Sequence, residues 1–319
     1  MKMAVFEKVK IRLDDKTLAE AVAPEIISAS RRTDIPAFYA DWLMDRIRKG
    51  YCDWKNPFSS QVQHVSFRNT KFIVFWSKNP APMMKYLQEL YYSGIPFYFQ
   101  HTINDYEKEG LEPNLPSFPE RCATFRRIAE TWGQGRQVWR WDPIFLIDGI
   151  LSIDDIVKRI VSTLSWLDGF PRKLVISFAD IKTYRKVQYN LRLTSVRELT
   201  AEEQRQFAEK LMNALAGRSI KVATCSEKAD LSEFGIEHNA CIDPELISSF
   251  ARDDDFAERV MTMGKDKGQR DCCLCTIAKD IGSYNTCAHG CRYCYANTTP
   301  ESAQSKWLEL RGSTSPLLL

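Results

Sequence analysis

The stretch FIVFWSKNPAPMMKYLQELYYSG, residues 72–94, contains an apolar run, a polar turn and an amphipathic segment in immediate succession. Residues 72–76 are branched or aromatic throughout, which is typical of a strand that is covered on both faces. Pro80 and Pro82 favour a helix start, because proline is tolerated in the first helical turn, and Gly94 favours its end. The stretch therefore predicts one strand followed by one helix.

The same alternation recurs along most of the chain. Further strands are predicted at residues 26–30, 96–100, 138–141, 174–178 and 220–224. A helix is predicted over about residues 36–50, and capping pairs open three more: Ser117 with Glu120, Ser152 with Asp155, and Thr200 with Glu203. Six strand-and-helix units predict an α/β fold with a parallel sheet. They fit a full or partial (β/α) TIM-like barrel better than a doubly wound sheet, although the pattern alone does not exclude the latter.

Composition and charge indicate a globular protein of the cytoplasm. The formal net charge is +3, and no stretch approaches the ~20 apolar residues that a membrane-spanning helix needs. Charges also interrupt the N-terminus where a signal peptide would be apolar. We therefore expect a cytoplasmic protein that does not associate with membranes. In that compartment the ten cysteines indicate metal ligands or buried thiols, and eight of them follow residue 220.

Polar side chains follow each predicted strand, where barrel enzymes carry their chemistry. Arg140 and Asp142 are the strongest catalytic candidates, because an arginine beside a strand needs a partner or a ligand. His101 is a weaker candidate for proton transfer. The full set is Arg31-Arg32-Thr33-Asp34, Ser77-Lys78-Asn79, His101-Thr102-Ile103-Asn104, Asp142, Asp180 and Cys225-Ser226-Glu227.

Three cysteines near the C-terminus form the most specific motif of the chain. Cys287, Cys291 and Cys294 have C-x3-C-x2-C spacing within SYNTCAHGCRYCYAN, residues 283–297. A loop of this length can direct three thiolates at one centre, and Gly290 allows the tight turn. Because a [4Fe–4S] cluster normally takes four cysteines, three at this spacing indicate a cluster with one iron open to another ligand.

This motif, with Tyr293 directly before the third cysteine, resembles the signature of radical S-adenosylmethionine enzymes. Residues 284–296 are especially similar to the subgroup that includes spore photoproduct lyase-like proteins. Over nearly its full length the chain resembles the bacterial domain-of-unknown-function 1848 family, which has no assigned substrate. That likeness is carried by SASRRTDIP (residues 28–36), FWSKNP (75–80), RWDP (140–143) and residues 265–297.

The resemblance implies a [4Fe–4S] cluster with three irons on the cysteines and the fourth chelated by S-adenosylmethionine. An electron from a donor such as flavodoxin or ferredoxin would cleave this cofactor. The resulting 5′-deoxyadenosyl radical would abstract hydrogen from a substrate, while the protein positions the substrate and excludes water. Tyr293 would pack near the adenine.

The position of the motif departs from the superfamily, in which the cysteine loop follows the first strand. A circular permutation would reconcile the two, with residues 281–285 as the displaced first strand beside residues 26–30. We then expect a (β/α) barrel core over residues 1–250 and a cysteine-rich cluster-binding segment over 251–319 that completes the barrel. No Gly-Gly-Glu string follows any strand, so Ser30, Arg31 and Arg32 are expected to hold the cofactor carboxylate, with Lys78 as a further cofactor-binding candidate.

A second metal site is the hypothesis for four other cysteines: Cys225, Cys241, Cys273 and Cys275. They suit a fully ligated iron–sulfur cluster or a tetrahedral zinc, and Cys272 is an alternative to Cys273. The alternative for Cys225 and Cys241 is that they are buried small hydrophobic residues. Cys52 and Cys122 are expected to be core thiols.

Two other classes of function compete with the enzyme. One is a binding protein stabilised by zinc, and the other is an iron–sulfur electron carrier without S-adenosylmethionine chemistry. The overlap of the C-x2-C pair of Cys291 and Cys294 with a C-x3-C spacing disfavours the first, and the polar strand ends disfavour the second. The substrate stays open between a small anionic metabolite, a peptide and DNA. The last would use a basic crevice of Arg31, Arg32, Lys78, Arg140 and Lys182.

Overall fold

The computed structural model describes residues 6–318 as a mixed α/β fold. Its strands, in chain order, are β1 (Lys8–Arg12), β2 (Leu18–Val22), β3 (Ile26–Ala29), β4 (Tyr51–Lys55), β5 (Val62–Ser66), β6 (Phe72–Ser77), β7 (Phe97–Thr102), β8 (Gln137–Ile144), β9 (Leu146–Ile147), β10 (Lys173–Phe178), β11 (Val196–Arg197), β12 (Lys221–Thr224), β13 (Glu237–His238) and β14 (Lys279–Asp280). All six predicted strands are present within three residues of their expected bounds.

The helices alternate with the strands of the main sheet. They are α1 (Ile35–Phe38), α2 (Ala40–Lys49), α3 (Leu87–Tyr92), α4 (Phe118–Trp132), α5 (Ile153–Trp166), α6 (Arg185–Leu191), α7 (Ala201–Ala214), α8 (Pro244–Phe250), α9 (Asp254–Thr262) and α10 (Pro300–Leu310). The predicted capping boxes open α4, α5 and α7. None of the described helices has the length and apolar composition needed to cross a lipid bilayer.

The helix expected over residues 36–50 is wrong in one respect, because it is broken into α1 and α2. Asp34 caps α1 by accepting a hydrogen bond from the N–H of Ala37. Tyr39 then leaves the helical conformation, with φ −135° and ψ 27°. Its hydroxyl donates a hydrogen bond to the carbonyl of Thr286 at 2.7 Å, so the break serves a contact with the distant cysteine segment.

The main sheet has eight strands in the order β14-β3-β6-β7-β8-β10-β12-β13, and every neighbouring pair is parallel. From β3 to β13 the spatial order follows the chain order. A doubly wound sheet would reverse direction at a switch point, and this one does not. In the described residues β14 and β13 are the two ends of this strand order, so a closed barrel is not shown.

Side chains alternate between the two faces of the sheet, and the faces pack against different partners. One face is covered by the crossover helices: Ile73 and Phe75 of β6 pack with Leu43 of α2 and Leu87 of α3. The opposite face carries Phe72 and Val74 of β6, Tyr98 of β7, and residues of α8 and α9, and it also contains Cys241, Cys273 and Cys275. The second set of predicted ligands therefore lies on the face that the crossover helices leave free.

Strand β14 comes from the C-terminal part of the chain and pairs in parallel with β3. Lys279 and Asp280 lie opposite Ile27 and Ser28. The sequence places this strand at residues 281–285, which is wrong by a few residues. The cause is that Asp280 anchors the strand through its side chain, after which the backbone turns into the cysteine segment.

A smaller sheet in the order β1-β2-β5-β4 flanks the main one. It also receives the C-terminal tail, because the N–H of Asp53 donates to the carbonyl of Pro316 at 2.8 Å. The indole N–H of Trp42 donates to the carbonyl of Ser315 at the same distance. These contacts hold the end of the described chain against α2 and β4.

Candidate functional site

The cysteine loop, defined as residues 283–297, lies over the C-terminal ends of β3 and β6. Tyr39 holds one side of it through Thr286. On the other side the N–H of Asn114 donates to the carbonyl of His289 at 3.2 Å. Both contacts are made by segments that follow strands of the main sheet. The loop is therefore seated at the edge where parallel α/β folds place their functional groups.

Cys291 is buried, Cys287 and Cys294 are half-buried, and the three thiols are close enough to influence one another electrostatically. Burial raises the pKa of Cys287 to about 12 and raises those of Cys291 and Cys294 in the same direction. Without a bound metal all three would keep their protons at neutral pH. Metal binding would therefore release protons, as it does wherever thiols become ligands.

Backbone N–H groups point at two of these sulfurs. Cys287 receives the N–H groups of His289 and Asp34. Cys294 receives the N–H of Ala296, with an N–S distance of 3.4 Å. Donors of this kind favour a sulfur that carries negative charge, as a metal-bound thiolate does.

Asp34 is the buried carboxylate that joins the loop to the sheet. It accepts hydrogen bonds from Nε2 of His289 at 2.7 Å and from the N–H of Lys78 at 2.7 Å. It also caps α1 through Ala37. The ring of His289 therefore bonds to this carboxylate. Asp34 thus fixes three elements relative to one another.

Tyr293 lies at the centre of a second buried network. Its hydroxyl donates to Glu112, and Glu112 also accepts from Nζ of Lys78 at 2.8 Å and from Nδ2 of Asn104 at 3.2 Å. Burial alone would raise the pKa of Glu112, but Lys78 and Arg121 outweigh it and lower that pKa. Glu112 is therefore a carboxylate at neutral pH, and Lys78 is committed to this ion pair.

Asp280 of β14 organises the start of the segment that follows β3. It accepts from the hydroxyls of Ser28 at 3.0 Å and Ser30 at 2.9 Å, and from the N–H of Arg31 at 2.9 Å. The N–H of Gly282 donates to the same carboxylate. Ser30 was expected to contact the cofactor, and the structure instead uses its hydroxyl to bind Asp280.

The guanidinium of Arg32 lies beside aromatic rings at the rim of the loop. It is 5.5 Å from the ring centre of Trp54 and 5.2 Å from that of Tyr284. Its Nη1 is buried and has no hydrogen-bond partner, and the carboxylate of Asp280 is 3.8 Å away. Arg32 is thus the arginine of the pair that keeps a donor available beside the cysteine loop.

Four of the remaining thiols form a thiol row, defined as Cys225, Cys241, Cys275 and Cys273. The sulfurs of Cys225 and Cys241 are 3.2 Å apart. Cys275 lies within reach of Cys241 on one side and Cys273 on the other. The structure therefore brings together all four residues of the predicted second site, from segments that are up to 50 residues apart in the chain.

Cys272 lies outside the thiol row. Its thiol donates to the carbonyl of Ser226 at 3.0 Å. The sequence left Cys272 and Cys273 as alternatives, and only Cys273 contacts Cys275 in the structure. Ligation by the thiol row stays a prediction, but the geometry favours Cys273 as its fourth member.

Two buried guanidiniums meet the thiol row. Nη1 of Arg140 donates to the sulfur of Cys241 at 3.0 Å, and the guanidinium of Arg31 lies within reach of Cys275. Trp76 lies between the two arginines, with its ring centre 5.1 Å from Arg31 and 5.2 Å from Arg140. Arg31 was expected to hold the cofactor carboxylate and Arg140 to act on substrate, whereas both side chains are directed at sulfur.

Asp142 connects Arg140 to the crevice above the sheet. It binds Nη2 of Arg140 at 2.5 Å and accepts a hydrogen bond from Ser177. Burial would raise the pKa of Asp142, but Arg140 and Ser177 lower it. Glu227 is nearby, and burial raises its pKa to about 8. The crevice therefore contains one carboxylate and one carboxyl group that holds its proton at neutral pH.

His101 is separated from the other catalytic candidates. Its ring stacks on Phe125 of α4, with ring centres 5.3 Å apart, and Nδ1 bonds to the side chain of Gln137 at 2.9 Å. It therefore lies on the face of the sheet that the crossover helices cover. This position gives the ring no access to a substrate, so proton transfer by His101 is not supported.

The buried position of His101 predicts a loss of stability in mild acid. Burial lowers its pKa from 6.5 to about 4. The unfolded chain takes up a proton below pH 6.5, whereas the folded chain does so only near pH 4, so stability falls as the pH drops through this window. We expect the free energy of unfolding to lose about 2 kcal/mol from this group between pH 7 and pH 5. Urea unfolding at both pH values measures the loss.

The His101→Gln variant should lose less stability between the two pH values than the unmodified chain, since glutamine does not titrate. His238→Gln serves as the control, because His238 is exposed. An equal loss in the His101 variant and the unmodified chain would refute this prediction.

The donor set at the cysteine loop suits an iron–sulfur cluster and a polar cofactor. Within residues 6–318 no three His, Cys, Asp or Glu side chains converge as they would around one metal ion. Buried polar atoms without a hydrogen-bond partner do concentrate around the loop. This is expected where a bound ligand would supply the missing hydrogen bonds. They are Nη2 of Arg31, Nη1 of Arg32, Oγ1 of Thr33, Oε2 of Glu112, Nδ1 of His289 and Oδ1 of Asn297.

Sequence analysis missed Glu112, Asp280 and Trp76 as parts of the site. Glu112 lies in a loop with no motif of its own, and Asp280 precedes the cysteines by several residues. Trp76 was assigned only to a strand. One indication was available, because a charged side chain that is removed from water, such as that of Lys78 or Arg31, needs a polar or charged partner. The sequence could not identify the residue that serves as this partner.

Gly282, two residues after β14, lies directly against Ser30, the residue that follows β3. A Cβ atom at this position would lie 1.9 Å from Oγ of Ser30 and 2.6 Å from its Cβ. We expect Gly282→Ala to destabilise the fold by about 3 kcal/mol, because relief requires backbone movement in a packed region. Urea unfolding of the variant is the measurement. Gly268→Ala is the control, since its new methyl would meet only Asp266, at 3.1 Å; equal effects of the two substitutions would contradict the prediction.

Comparison with known proteins identifies the family and no more. The model of a family described as a domain of unknown function, DUF1848, matches residues 26–296. No curated protein and no solved structure gives a significant match. The matched region begins at β3 and ends within the cysteine loop, so it contains both sets of cysteines described above. The chain therefore belongs to the DUF1848 family.

Proposed function

We propose that this protein is a radical S-adenosylmethionine enzyme, with a [4Fe–4S] cluster held by Cys287, Cys291 and Cys294. The observation that carries the proposal is the cysteine loop itself. Three thiols at C-x3-C-x2-C spacing, one buried and two half-buried, lie at the C-terminal edge of a parallel sheet, and backbone N–H groups point at two of the sulfurs. When bound, the cluster would supply one electron that splits S-adenosylmethionine into methionine and a 5′-deoxyadenosyl radical.

The residues of this chain would then have distinct roles. Arg32 keeps a buried donor without a partner and is the candidate for the cofactor carboxylate. Tyr293, held by Glu112, is the candidate neighbour of the adenine. Asp34 and His289 fix the position of the loop. Arg31 and Lys78 are less suited to cofactor binding than the sequence predicted, since each guanidinium or ammonium already has a partner.

The strand order supports a partial (β/α) barrel with a circular permutation. Strand β14 lies beside β3, where the first strand of an unpermuted chain would be, and the later strands follow in chain order. The cysteine loop then follows the first strand in space, although it comes late in the sequence. This arrangement is the one that the superfamily resemblance implies.

The crevice favours a small substrate over DNA. Of the cations expected to line a basic crevice, Arg31 and Arg140 contact thiols, and Lys78 is paired with Glu112. Lys182 is exposed and lies 3.8 Å from Glu198. Few positive charges are left for phosphates. Asp142 and the protonated Glu227 would instead contact polar groups of a small molecule or a peptide, in a cytoplasmic enzyme supplied by flavodoxin or ferredoxin.

The test is metal analysis followed by an assay of cofactor cleavage. Protein purified without oxygen should contain iron and sulfide in equal amounts, about four per cluster. With dithionite and S-adenosylmethionine it should form 5′-deoxyadenosine and methionine. Zinc with little iron would overturn the proposal in favour of a zinc-stabilised binding protein. Iron without cleavage would favour an electron carrier.

A further inference from the structure

We infer that the thiol row binds a second iron–sulfur cluster, for which Arg31 and Arg140 are fixed positive counter-charges. The inference goes beyond the proposed function, because cleavage of S-adenosylmethionine requires only the cluster at the cysteine loop. It rests on the serial contacts from Cys225 to Cys241, from Cys241 to Cys275 and from Cys275 to Cys273, which join three separate segments of the chain. The ligand class is an anionic cluster that is fully held by thiolates.

Donors converge on these sulfurs from several directions. Besides Arg140, Nδ2 of Asn239 points at the sulfur of Cys241 at 3.4 Å. The N–H of Ile242 donates to the sulfur of Cys275 at 3.2 Å. Neutral thiols are weak acceptors and would not require so many donors. Thiolate and sulfide sulfurs do accept such hydrogen bonds, which are among the features that set the potential of a cluster.

The charges at this site also require an anion. Arg140 is 2% exposed and Arg31 has a buried Nη2 without a partner. Asp142 neutralises one of the two positive charges. The carboxylate of Asp280 hydrogen-bonds the backbone of Arg31 and acts on its guanidinium only through space. A buried cation with no counter-ion in direct contact is costly, so the second charge favours a negatively charged group at the thiol row.

Arg31 also connects the thiol row to the cysteine loop. Its guanidinium lies at Cys275, and its carbonyl accepts a hydrogen bond from the hydroxyl of Tyr295 at 2.8 Å. Tyr295 is the residue next to Cys294. A short path of this kind suits a group that exchanges electrons. A reduced carrier of the flavodoxin or ferredoxin class would give up one electron to the cluster, and no bond would form or break.

Two neighbouring cysteines provide a matched test of this site. Cys273→Ser should lower the iron content by about four atoms per chain. Cys272→Ser should leave it unchanged, because Cys272 bonds to a carbonyl outside the thiol row. Both variants are made in the full chain and purified without oxygen. Equal iron loss in both, or no loss in either, would overturn the inference, and so would zinc that disappears with Cys273.

A second background separates this inference from the proposed function. In the triple variant Cys287→Ala, Cys291→Ala, Cys294→Ala, only the thiol row can bind iron. About four irons should remain, with an electron paramagnetic resonance signal on reduction that S-adenosylmethionine does not change. In the same background Arg140→Gln should lower the midpoint potential, and Arg140→Lys should restore part of it. If Arg140→Gln left the midpoint potential unchanged, Arg140 would not be a counter-charge to the cluster.

Failure of the proposed function would look different. The variant Cys225→Ser, Cys241→Ser keeps the cysteine loop intact. If its remaining cluster neither responds to S-adenosylmethionine nor cleaves it, the proposed function fails, while the retained irons of the triple variant still support the inference. If the triple variant does not fold, the iron contents of Cys272→Ser and Cys273→Ser decide whether the thiol row binds a cluster.

Discussion

Replacement of Cys291 by alanine is expected to remove about four irons per chain and to abolish cleavage of S-adenosylmethionine. Cys291 is the middle thiol of the cysteine loop, and its loss leaves only two ligands for the cluster. Residues that merely support a metal ligand cost roughly 10–100-fold in affinity or activity when mutated, so loss of a ligand should exceed about 100-fold. Iron and sulfide analysis, together with 5′-deoxyadenosine formation under dithionite, measures both effects.

Cys122→Ala is the control for this experiment. Cys122 is also a buried cysteine, on α4, and burial raises its pKa to about 12. It has no contact with either cysteine set among the described hydrogen bonds, so iron and activity should match those of the unmodified chain. Retention of full iron and activity by Cys291→Ala would contradict the proposed site.

Asp34→Ala should have the largest effect on stability, about 4 kcal/mol in the free energy of unfolding. The substitution removes the acceptor for His289, Lys78 and Ala37 at once, and each buried donor left without a partner costs roughly 1–3 kcal/mol. Urea unfolding of the metal-free chain under reducing conditions isolates this effect from metal binding. The cysteine loop should also become accessible to protease.

The control for this prediction is Asp41→Ala, because Asp41 lies in α2, seven residues after Asp34. The Asp41 side chain is 75% exposed and pairs with Lys85 on the surface. Such pairs contribute at most about 1 kcal/mol. If Asp34→Ala and Asp41→Ala changed stability equally, the carboxylate of Asp34 would not be the link between the sheet and the loop.

Local chemistry in the sequence was sufficient for most of the regular structure. Apolar runs located the main strands, and capping pairs located α4, α5 and α7, since each signal is contained within a few residues. The break at Tyr39 was not predictable, because its cause is a contact with Thr286 across 247 positions. Strand β14 was displaced for the same reason: Asp280 is fixed by Ser28, 252 positions earlier.

The candidate site was predicted in its residue types more accurately than in its contacts. The sequence identified both cysteine sets, yet it could not separate Cys272 from Cys273, because only the fold determines which thiol reaches Cys275. It assigned Arg31 and Arg140 to cofactor and substrate on the correct ground that buried arginines need partners. The partners are thiols from distant segments, and no local pattern records that.

The position of β14 has a consequence for how the protein is made. Proteins emerge from the ribosome N-terminus first, and Ser28 is synthesised 252 residues before the Asp280 carboxylate that binds it. Until then one edge of the main sheet is bare, and bare strand edges attract other chains. The cysteine loop is translated later still. Assembly of a cluster would therefore have to follow translation. We expect the nascent chain to depend on chaperones until β14 covers the edge of the sheet.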